Sequence, residues 1–211
     1  MKKDKGLKVL PCLDSPEMAE TRKQELDISR SAAAALGQSA VLAADKGFYV
    51  TRTGRREDWS QLVQAAVSSK ISISPDALLP ETLHSLFDET LIQVANETTL
   101  GAAHRLTADG KMPLALNFAN GIHPGGGFTS GSRAQEEVLC RSSALYKILL
   151  DDPMYETHRK RARPDSTDWA ILSPNVPVFR ADDGTELERP WMLSFITCAA
   201  PVAHRIGQPE A

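Results

Sequence analysis

Two adjacent acids, Glu136 and Glu137, follow the glycine run 125–127 after a short spacer. The apolar stretch 114–118 before the glycines predicts a buried strand, and the glycines predict a turn where main chain can approach a ligand closely. A strand, a glycine loop and a helix start commonly form a phosphate site, because free N–H groups and the helix dipole point toward the anion. Adjacent acids suggest chemistry on a group attached to that phosphate, and a glycosidic bond is the natural candidate.

The helix that carries the acids can be predicted locally. Ser132 and Gln135 have the spacing of a capping box, which places both acids in the first helical turn. Apolar residues recur with a helical period through 138–150 and predict one continuous helix, ended by Asp152-Pro153. Because neighbouring helical residues point about 100° apart, we expect the two carboxylates to have different roles.

Each of these features alone is more often structural. Glutamate suits the first turn of any helix, and three glycines can form an ordinary loop. Their order and spacing together favour a functional site. Two other phosphate motifs are excluded: Ser130 stands where a dinucleotide fingerprint needs its last glycine, and the Gly-Lys-Ser/Thr of a P-loop is missing.

The segment GGG-FTSGSRA-QEE, followed by VLCRSSALY, resembles the microbial-type poly(ADP-ribose) glycohydrolase family, whose signature is three glycines, a short spacer and Gln-Glu-Glu. The similarity extends to the upstream NFAN segment and to the downstream segments SPNVPVFR and ITCAAP, and so covers most of the chain. The resemblance implies an α/β fold, a macrodomain-like mixed sheet flanked by helices, with an N-terminal helical accessory segment.

The resemblance also implies roles for single residues. Glu137 matches the catalytic acid that protonates the departing ribose oxygen, and Glu136 matches the carboxylate that orients ribose hydroxyls. Asn117 stands where animal-type relatives carry Asp, so no catalytic role is assigned to it. No metal or cofactor is implied. The matched substrate-binding positions are a ribose-binding asparagine, the diphosphate-binding loop and a residue beside the acids: Asn120, Gly125, Gly126, Gly127, Phe128 and Gln135.

Composition agrees with a single domain. The 211 residues are 42% hydrophobic and 24% charged, with a net charge of −3 that argues against bulk attraction to nucleic acid or acidic membranes. The three cysteines have no metal-ligand spacing and predict reduced thiols, as expected in cytoplasm, or in a nucleus if the source is eukaryotic. The basic run 158–163 predicts a solvated face, with a polymer-binding surface as the alternative.

Alternating strands and helices predict a mixed or parallel sheet covered on both faces. Gly47 predicts the end of a helix, Pro80 predicts a break, and the segments 169–172 and 176–179 predict two strands followed by a hairpin turn at 182–184. His123, near the glycine loop, is predicted to be a solvated loop residue rather than a catalytic one. We assign residues 1–88 to the helical accessory segment and 89–211 to the catalytic portion, without the C-terminal part that family members generally carry. Such a shortened domain should leave its last strand unpaired and its signature helix partly uncovered, which favours self-association.

Three functions remain open from the sequence. The first is a glycohydrolase that cleaves poly(ADP-ribose), the second a hydrolase that removes single ADP-ribosyl units from a protein or nucleic acid, and the third a module that binds ADP-ribose without turnover. The intact acid pair favours an enzyme, because a binding module needs no general acid.

Overall fold

The computed structural model of the chain describes residues 6–79, 87–161 and 166–200. The strands among them are β1 (Gly6–Val9), β2 (Phe48–Val50), β3 (Arg56–Asp58), β4 (Ile71–Ile73), β5 (Glu89–Ile92), β6 (Leu114–Ala119), β7 (Ala170–Arg180) and β8 (Glu186–Ala199). The α-helices are α1 (Pro16–Leu26), α2 (Arg30–Lys46), α3 (Ser60–Ser69), α4 (Thr99–Ala108), α5 (Gln135–Ser142), α6 (Leu145–Leu149) and α7 (Pro153–Arg159). The predicted break at Pro80 and residues 162 and 163 of the basic run lie outside the described residues.

The main sheet has the strand order β4-β7-β8-β6. Strands β7 and β8 form a long antiparallel hairpin, β4 pairs antiparallel with β7, and β6 runs parallel to β8. The predicted turn at 182–184 joins the hairpin, with Gly184 at a φ of 92°. The prediction of a mixed α/β sheet is therefore confirmed.

Two segments that the sequence predicts as separate strands, 169–172 and 176–179, belong to the single strand β7. The register against β8 shifts between Ser173 and Val176, and Asn175 has a φ of 49°. An extra residue on one strand makes a bulge that bends the strand without ending it. The polar, proline-containing residues 173–175 are compatible with either a bulge or a loop, so the sequence pattern alone could not distinguish the two.

The single helix predicted over 138–150 is divided into α5 and α6. Ser143 adopts extended backbone angles and forms an isolated bridge with Val178 of β7. Its hydroxyl donates to the Leu139 carbonyl at 2.7 Å, which caps the end of α5, and the Ala144 N–H donates to the Pro177 carbonyl at 3.0 Å. Pairing with the sheet therefore replaces helical hydrogen bonds here, although the side-chain pattern remains helical.

Residues before position 88 contribute directly to the main body. Helix α2 ends at Gly47, as predicted, in a left-handed cap with a φ of 75°. Beyond it, the rings of Tyr49 and Trp59 pack on Phe179 of β7, with ring centroids 5.1 and 4.6 Å away. Strand β4, also from this part of the chain, extends the main sheet. Aromatic packing and strand pairing thus join residues on both sides of position 88, where the sequence suggested a division.

The signature strand β6 lies at an edge of the main sheet and is only half buried. Ala115, Asn117 and Ala119 face the core, whereas Leu114, Leu116 and Phe118 are exposed. The prediction of a fully buried strand covered on both faces is therefore wrong for this strand. The last strand β8 is internal, and α5 is buried from Glu136 to Ser142, so the expected unpaired last strand and uncovered signature helix are not found. Self-association stays a prediction.

The two-stranded parallel pair of β1 and β5 is exposed along both strands. This is unusual, because parallel strands are normally covered on both faces. Among the described helices, none has the length and apolar character needed to cross a membrane.

We expect Phe179→Ala to lower the free energy of unfolding by about 3–5 kcal/mol, because it removes the ring on which Tyr49 and Trp59 pack and leaves a cavity there. Urea denaturation measures the change. Leu78, which is 99% exposed, provides the control, and Leu78→Ala should stay within about 0.5 kcal/mol of the original protein. Similar losses in both variants would contradict the packing described above.

Candidate active site

The helix that carries the acids begins later than the capping box predicts. Helix α5 starts at Gln135, its N-cap is Ala134, and no side chain caps it. Ser132 instead lies in the preceding loop, where its N–H donates to the Gly127 carbonyl at 3.1 Å. The capping-box prediction is wrong, but Glu136 and Glu137 still fall in the first turn.

Gln135 attaches the start of α5 to the open edge of β6. Its amide nitrogen donates to the Leu116 carbonyl at 2.6 Å, and its amide oxygen accepts the Phe118 N–H at 2.9 Å. The side chain thus makes the pair of bonds that a neighbouring strand would make. The same nitrogen also reaches the Thr99 hydroxyl at 3.2 Å. Gln135, predicted to bind substrate, has its amide engaged with protein in this structure.

Glu136 continues this pairing beyond the end of the strand. One carboxylate oxygen accepts the Asn120 N–H at 2.7 Å, and the other accepts the Gly125 N–H at 3.0 Å. The side chain therefore bridges the end of β6 and the first glycine of the loop. It is only 4% exposed, so its carboxyl group is shielded from water.

Burial raises the pKa of Glu136 to about 7, and the nearby charge of Glu137 acts in the same direction. The two main-chain N–H groups and the Asn117 side chain favour the ionised form but do not cancel the desolvation. Asn117 is fully buried, its amide nitrogen lies 3.2 Å from the Thr197 hydroxyl, and its amide oxygen has no partner among the described residues. Glu136 thus lies next to a polar side chain that is itself buried.

Glu137 is held less tightly than Glu136. One of its oxygens accepts the Gly127 N–H at 3.0 Å, and among the described contacts no donor reaches the other oxygen. The side chain is 8% exposed. Both carboxylates converge on Gly126: a Cβ built there would lie 3.1 Å from Glu136 Oε2 and would overlap Glu137 Oε1. The two carboxylates therefore lie beside the same residue, although Glu136 accepts two main-chain hydrogen bonds and Glu137 accepts one among the described contacts.

The glycine loop differs from its prediction in one respect. The sequence predicts free N–H groups, but those of Gly125 and Gly127 donate to the two acids, and that of Gly126 donates to the His123 carbonyl at 3.0 Å. Gly125 and Gly126 have φ values of 71° and 56°, a conformation that glycine adopts without strain. The loop thus presents its donors to the acids in this structure.

Asn120 stands where β6 ends and the loop begins. Its amide oxygen accepts the N–H groups of Ile122 and His123, each at 3.0 Å, and so folds the chain into a tight turn. Among the described contacts its amide nitrogen has no partner and the residue is exposed, so an NH₂ group is available to a ligand. His123 is exposed, as predicted.

Phe128 lies beneath the loop. Its ring is 2% exposed and packs on Tyr146 with ring centroids 4.8 Å apart. A Cβ on Gly125 would come within 2.9 Å of the same ring. The Phe128 side chain therefore supports the loop from the core, and any ligand contact at this position falls to its main chain.

Sequence reasoning missed His158, the first residue of the basic run. It is 5% exposed and its ring accepts or donates hydrogen bonds at both nitrogens, which excludes a solvated position. The missed signal is its spacing from Met154 and Tyr155, which places all three on one face of α7. Cys140 is fully buried and its pKa is raised by desolvation, so it is not an activated nucleophile. In the described ranges, no cluster of three or more acids, histidines or cysteines could hold a metal ion.

Comparisons with known proteins converge on one family. The family model of the microbial-type poly(ADP-ribose) glycohydrolase (PARG) catalytic domain matches residues 37–181. Poly(ADP-ribose) glycohydrolase from Thermomonospora curvata is 37% identical, with a TM-score of 0.76 over 84% of this chain and 67% of that chain. Its complex with the inhibitor ADP-HPD gives 36% identity and a TM-score of 0.73 over 84% and 66%.

The enzyme from Deinococcus radiodurans in complex with ADP-ribose is 31% identical, with a TM-score of 0.54 over 67% of this chain and 58% of that chain. No curated protein matches the chain. The chain therefore spans about two thirds, or less, of the length of the solved structures that it resembles.

We expect the raised pKa of Glu136 to make stability depend on pH. The folded-state pKa of about 7 lies above the ordinary value of 4.5, so the stabilising contribution of the bound proton is complete below about pH 4.5 and is lost as the pH rises through about 7. Between these limits the free energy of unfolding should fall by on the order of 2–3 kcal/mol more in the original protein than in Glu136→Gln. Urea denaturation across this range compares the slopes, and equal slopes would contradict the assignment.

Proposed function

Since the chain belongs to the microbial-type poly(ADP-ribose) glycohydrolase family, we propose that it cleaves the ribose–ribose O-glycosidic bonds of poly(ADP-ribose) and releases ADP-ribose. Relatives that share this fold were solved with ADP-ribose or with ADP-HPD. In this chain hydrogen bonds connect the glycine loop, the two acids and Asn120 directly: Glu136 accepts the N–H groups of Asn120 and Gly125, and Glu137 accepts that of Gly127.

One observation carries the division of labour between the acids. Both oxygens of Glu136 are held by main-chain N–H groups, whereas among the described residues no donor reaches one oxygen of Glu137. A carboxyl held at both oxygens can orient a ribose but cannot turn to deliver a proton. A carboxyl with a free oxygen can donate a proton and later accept one. We therefore assign the general acid to Glu137 and the positioning of ribose to Glu136.

The proposed reaction follows from this assignment. The Glu137 carboxyl gives its proton to the bridging ribose oxygen as the bond from that oxygen to the anomeric carbon breaks, and the bonding electron pair stays with the oxygen. The anomeric carbon passes through an oxocarbenium-like state. Water then attacks this carbon and returns a proton to the Glu137 carboxylate. The charge on Glu136, where it is ionised, favours the positive state beside it.

The remaining predicted contacts complete the proposal. The Asn120 amide nitrogen donates to a ribose hydroxyl, and the main chain of residues 125–128 binds the diphosphate. Because the Gly125 and Gly127 N–H groups already donate to the acids, the diphosphate must share these donors or shift the loop. Gln135 contributes by holding the start of α5 against β6.

We place the protein in cytoplasm, or in a nucleus if its source is eukaryotic. The support is that Cys12, Cys140 and Cys198 are free thiols, which is the ordinary state in a reducing compartment.

Labelled poly(ADP-ribose) tests the reaction through release of ADP-ribose. We expect Glu137→Gln to lower turnover by about 10²- to 10⁴-fold, because the amide keeps the shape but cannot deliver a proton. Its affinity for ADP-ribose, measured by calorimetry, should stay within about threefold, since a tenfold change needs about 1.4 kcal/mol and the amide oxygen can still accept the Gly127 N–H.

Three outcomes would oppose this proposal. Near-normal turnover in Glu137→Gln would exclude the assigned acid. Release of ADP-ribose only from a mono-ADP-ribosylated protein would indicate a mono-ADP-ribosyl hydrolase, and binding without hydrolysis of either substrate would indicate a binding module. Glu20→Gln, on the exposed surface of α1, serves as the control for loss of an acid.

We expect Gly126→Ala to lower kcat/KM at least tenfold, because its Cβ would push the Glu137 carboxylate from its place. Gly110 is a matched control: its φ of 73° is also left-handed, yet a Cβ there would meet nothing within 4 Å. Both substitutions introduce strain of about 1 kcal/mol, so only the displacement of the acids differs. Equal activity of the two variants would show that Gly126 is not part of the site.

A further inference from the structure

The loop that carries Asn120 is also held by α7. His158 Nδ1 lies 3.0 Å from the Gly121 carbonyl oxygen, and the Arg159 guanidinium donates to the Ile122 carbonyl at 2.8 Å. The fit at Gly121 is close, since a Cβ there would come 3.4 Å from His158 Nδ1 and 3.4 Å from the Ala199 side chain. Two residues of the basic run therefore fix consecutive carbonyls of the loop.

The surrounding hydrogen bonds determine which nitrogen of His158 carries the hydrogen. A carbonyl oxygen can only accept, so Nδ1 must be protonated toward Gly121. A main-chain N–H can only donate, and that of Thr167 points at Nε2 at 3.3 Å, so Nε2 must accept. The Thr167 hydroxyl accepts the Trp169 N–H at 3.3 Å and is therefore free to donate its own hydrogen to Nε2 over 2.7 Å.

A ring with its hydrogen on Nδ1 is thus specified at both nitrogens. Because His158 is 5% exposed, water does not compete for either nitrogen. The ring connects the Thr167–Trp169 segment, which directly precedes β7, to the Gly121 carbonyl. Gly121 follows Asn120 directly, and the Asn120 N–H is bound by Glu136 at 2.7 Å. The loop is therefore held by a carboxylate at Asn120 and by an imidazole at Gly121.

We propose that His158 is a positioning residue for the ribose site: through its Nδ1–H bond to Gly121 it sets the orientation of the Asn120 amide and of the Asn120 N–H that holds Glu136. This inference rests on the proposed function for its ligand, and on the contact between His158 and the Gly121 carbonyl for the anchor itself. His158 contacts neither reacting group, so it acts through Asn120 and Glu136.

The chain offers a pair of substitutions that separates the two ends of the ring. In His158→Asn the amide nitrogen can occupy the place of Nδ1 and still donate to Gly121. In His158→Gln the amide reaches the place of Nε2 and the bond to Gly121 is lost. Both remove the same ring from the same buried position, so their cost in packing is similar. Thr167→Val removes the hydroxyl but leaves its N–H to hold the tautomer.

Two measurements on the full chain test the proposal. We expect the ADP-ribose Kd, by calorimetry, to rise at least tenfold in His158→Gln and to stay within about threefold in His158→Asn and Thr167→Val. Hydrogen exchange at the Asn120 amide, measured without ligand, should accelerate about tenfold in His158→Gln only. Thermal melting of the three variants reports general destabilisation separately.

Equal effects of His158→Asn and His158→Gln on both measurements would overturn the proposal, because a purely structural ring does not distinguish the two amides. Unchanged Asn120 exchange in His158→Gln would also overturn it. If the original protein binds no ADP-ribose while the exchange pattern holds, the proposed function fails and the anchor stands. If the original protein binds ADP-ribose and His158→Gln binds equally well, the positioning role fails and the proposed function stands.

Discussion

The open edge of β6 must be satisfied by hydrogen bonds, and the first turn of α5 provides them. Four main-chain N–H groups, from Phe118 to Gly127, donate to the side chains of Gln135, Glu136 and Glu137, and the Leu116 carbonyl accepts from Gln135. Gln135 thus takes the place of a neighbouring strand along β6, and Glu136 and Glu137 continue the pairing with Asn120 and the glycine loop. The signature tripeptide is therefore structural and chemical at once, because the bonds that close the sheet edge also position the acids.

This arrangement explains why two adjacent glutamates can behave differently. Glu136 is bound at both oxygens in a desolvated position, and its pKa rises because burial outweighs the two donors. Glu137 lies one residue further along the turn, where one of its oxygens accepts the Gly127 N–H and no donor in the described part of the chain reaches the other. Gly126 lies between them with no room for a side chain. The chemical difference between the acids arises from the path of the loop rather than from their residue type.

The loop is in turn held by α7. Helix α7 is capped at its N-terminus by Asp152, whose buried carboxylate accepts the Ser72 hydroxyl at 3.0 Å and the Met154 N–H at 3.1 Å. Lys70 lies 3.6 Å from the same carboxylate. These contacts connect β4, from the first part of the chain, to the helix whose His158 anchors Gly121. The site is therefore supported by segments distant in sequence, which no short motif contains.

The sequence alone determined the local features: the strand, loop and helix around the signature, the left-handed cap at Gly47, the hairpin turn at 182–184, and the family. The structural features among them depend on residue types a few positions apart, so short-range stereochemistry is sufficient to predict them, whereas the family was inferred from the resemblance of the signature and its flanking segments. Tertiary structure decided the break at Ser143, the bulge at Asn175, the engagement of Gln135 with β6 and the burial of His158. Each of these depends on a partner far away in the chain. Main-chain hydrogen bonds go to whichever acceptor the fold brings near, and that choice leaves no periodicity in the sequence.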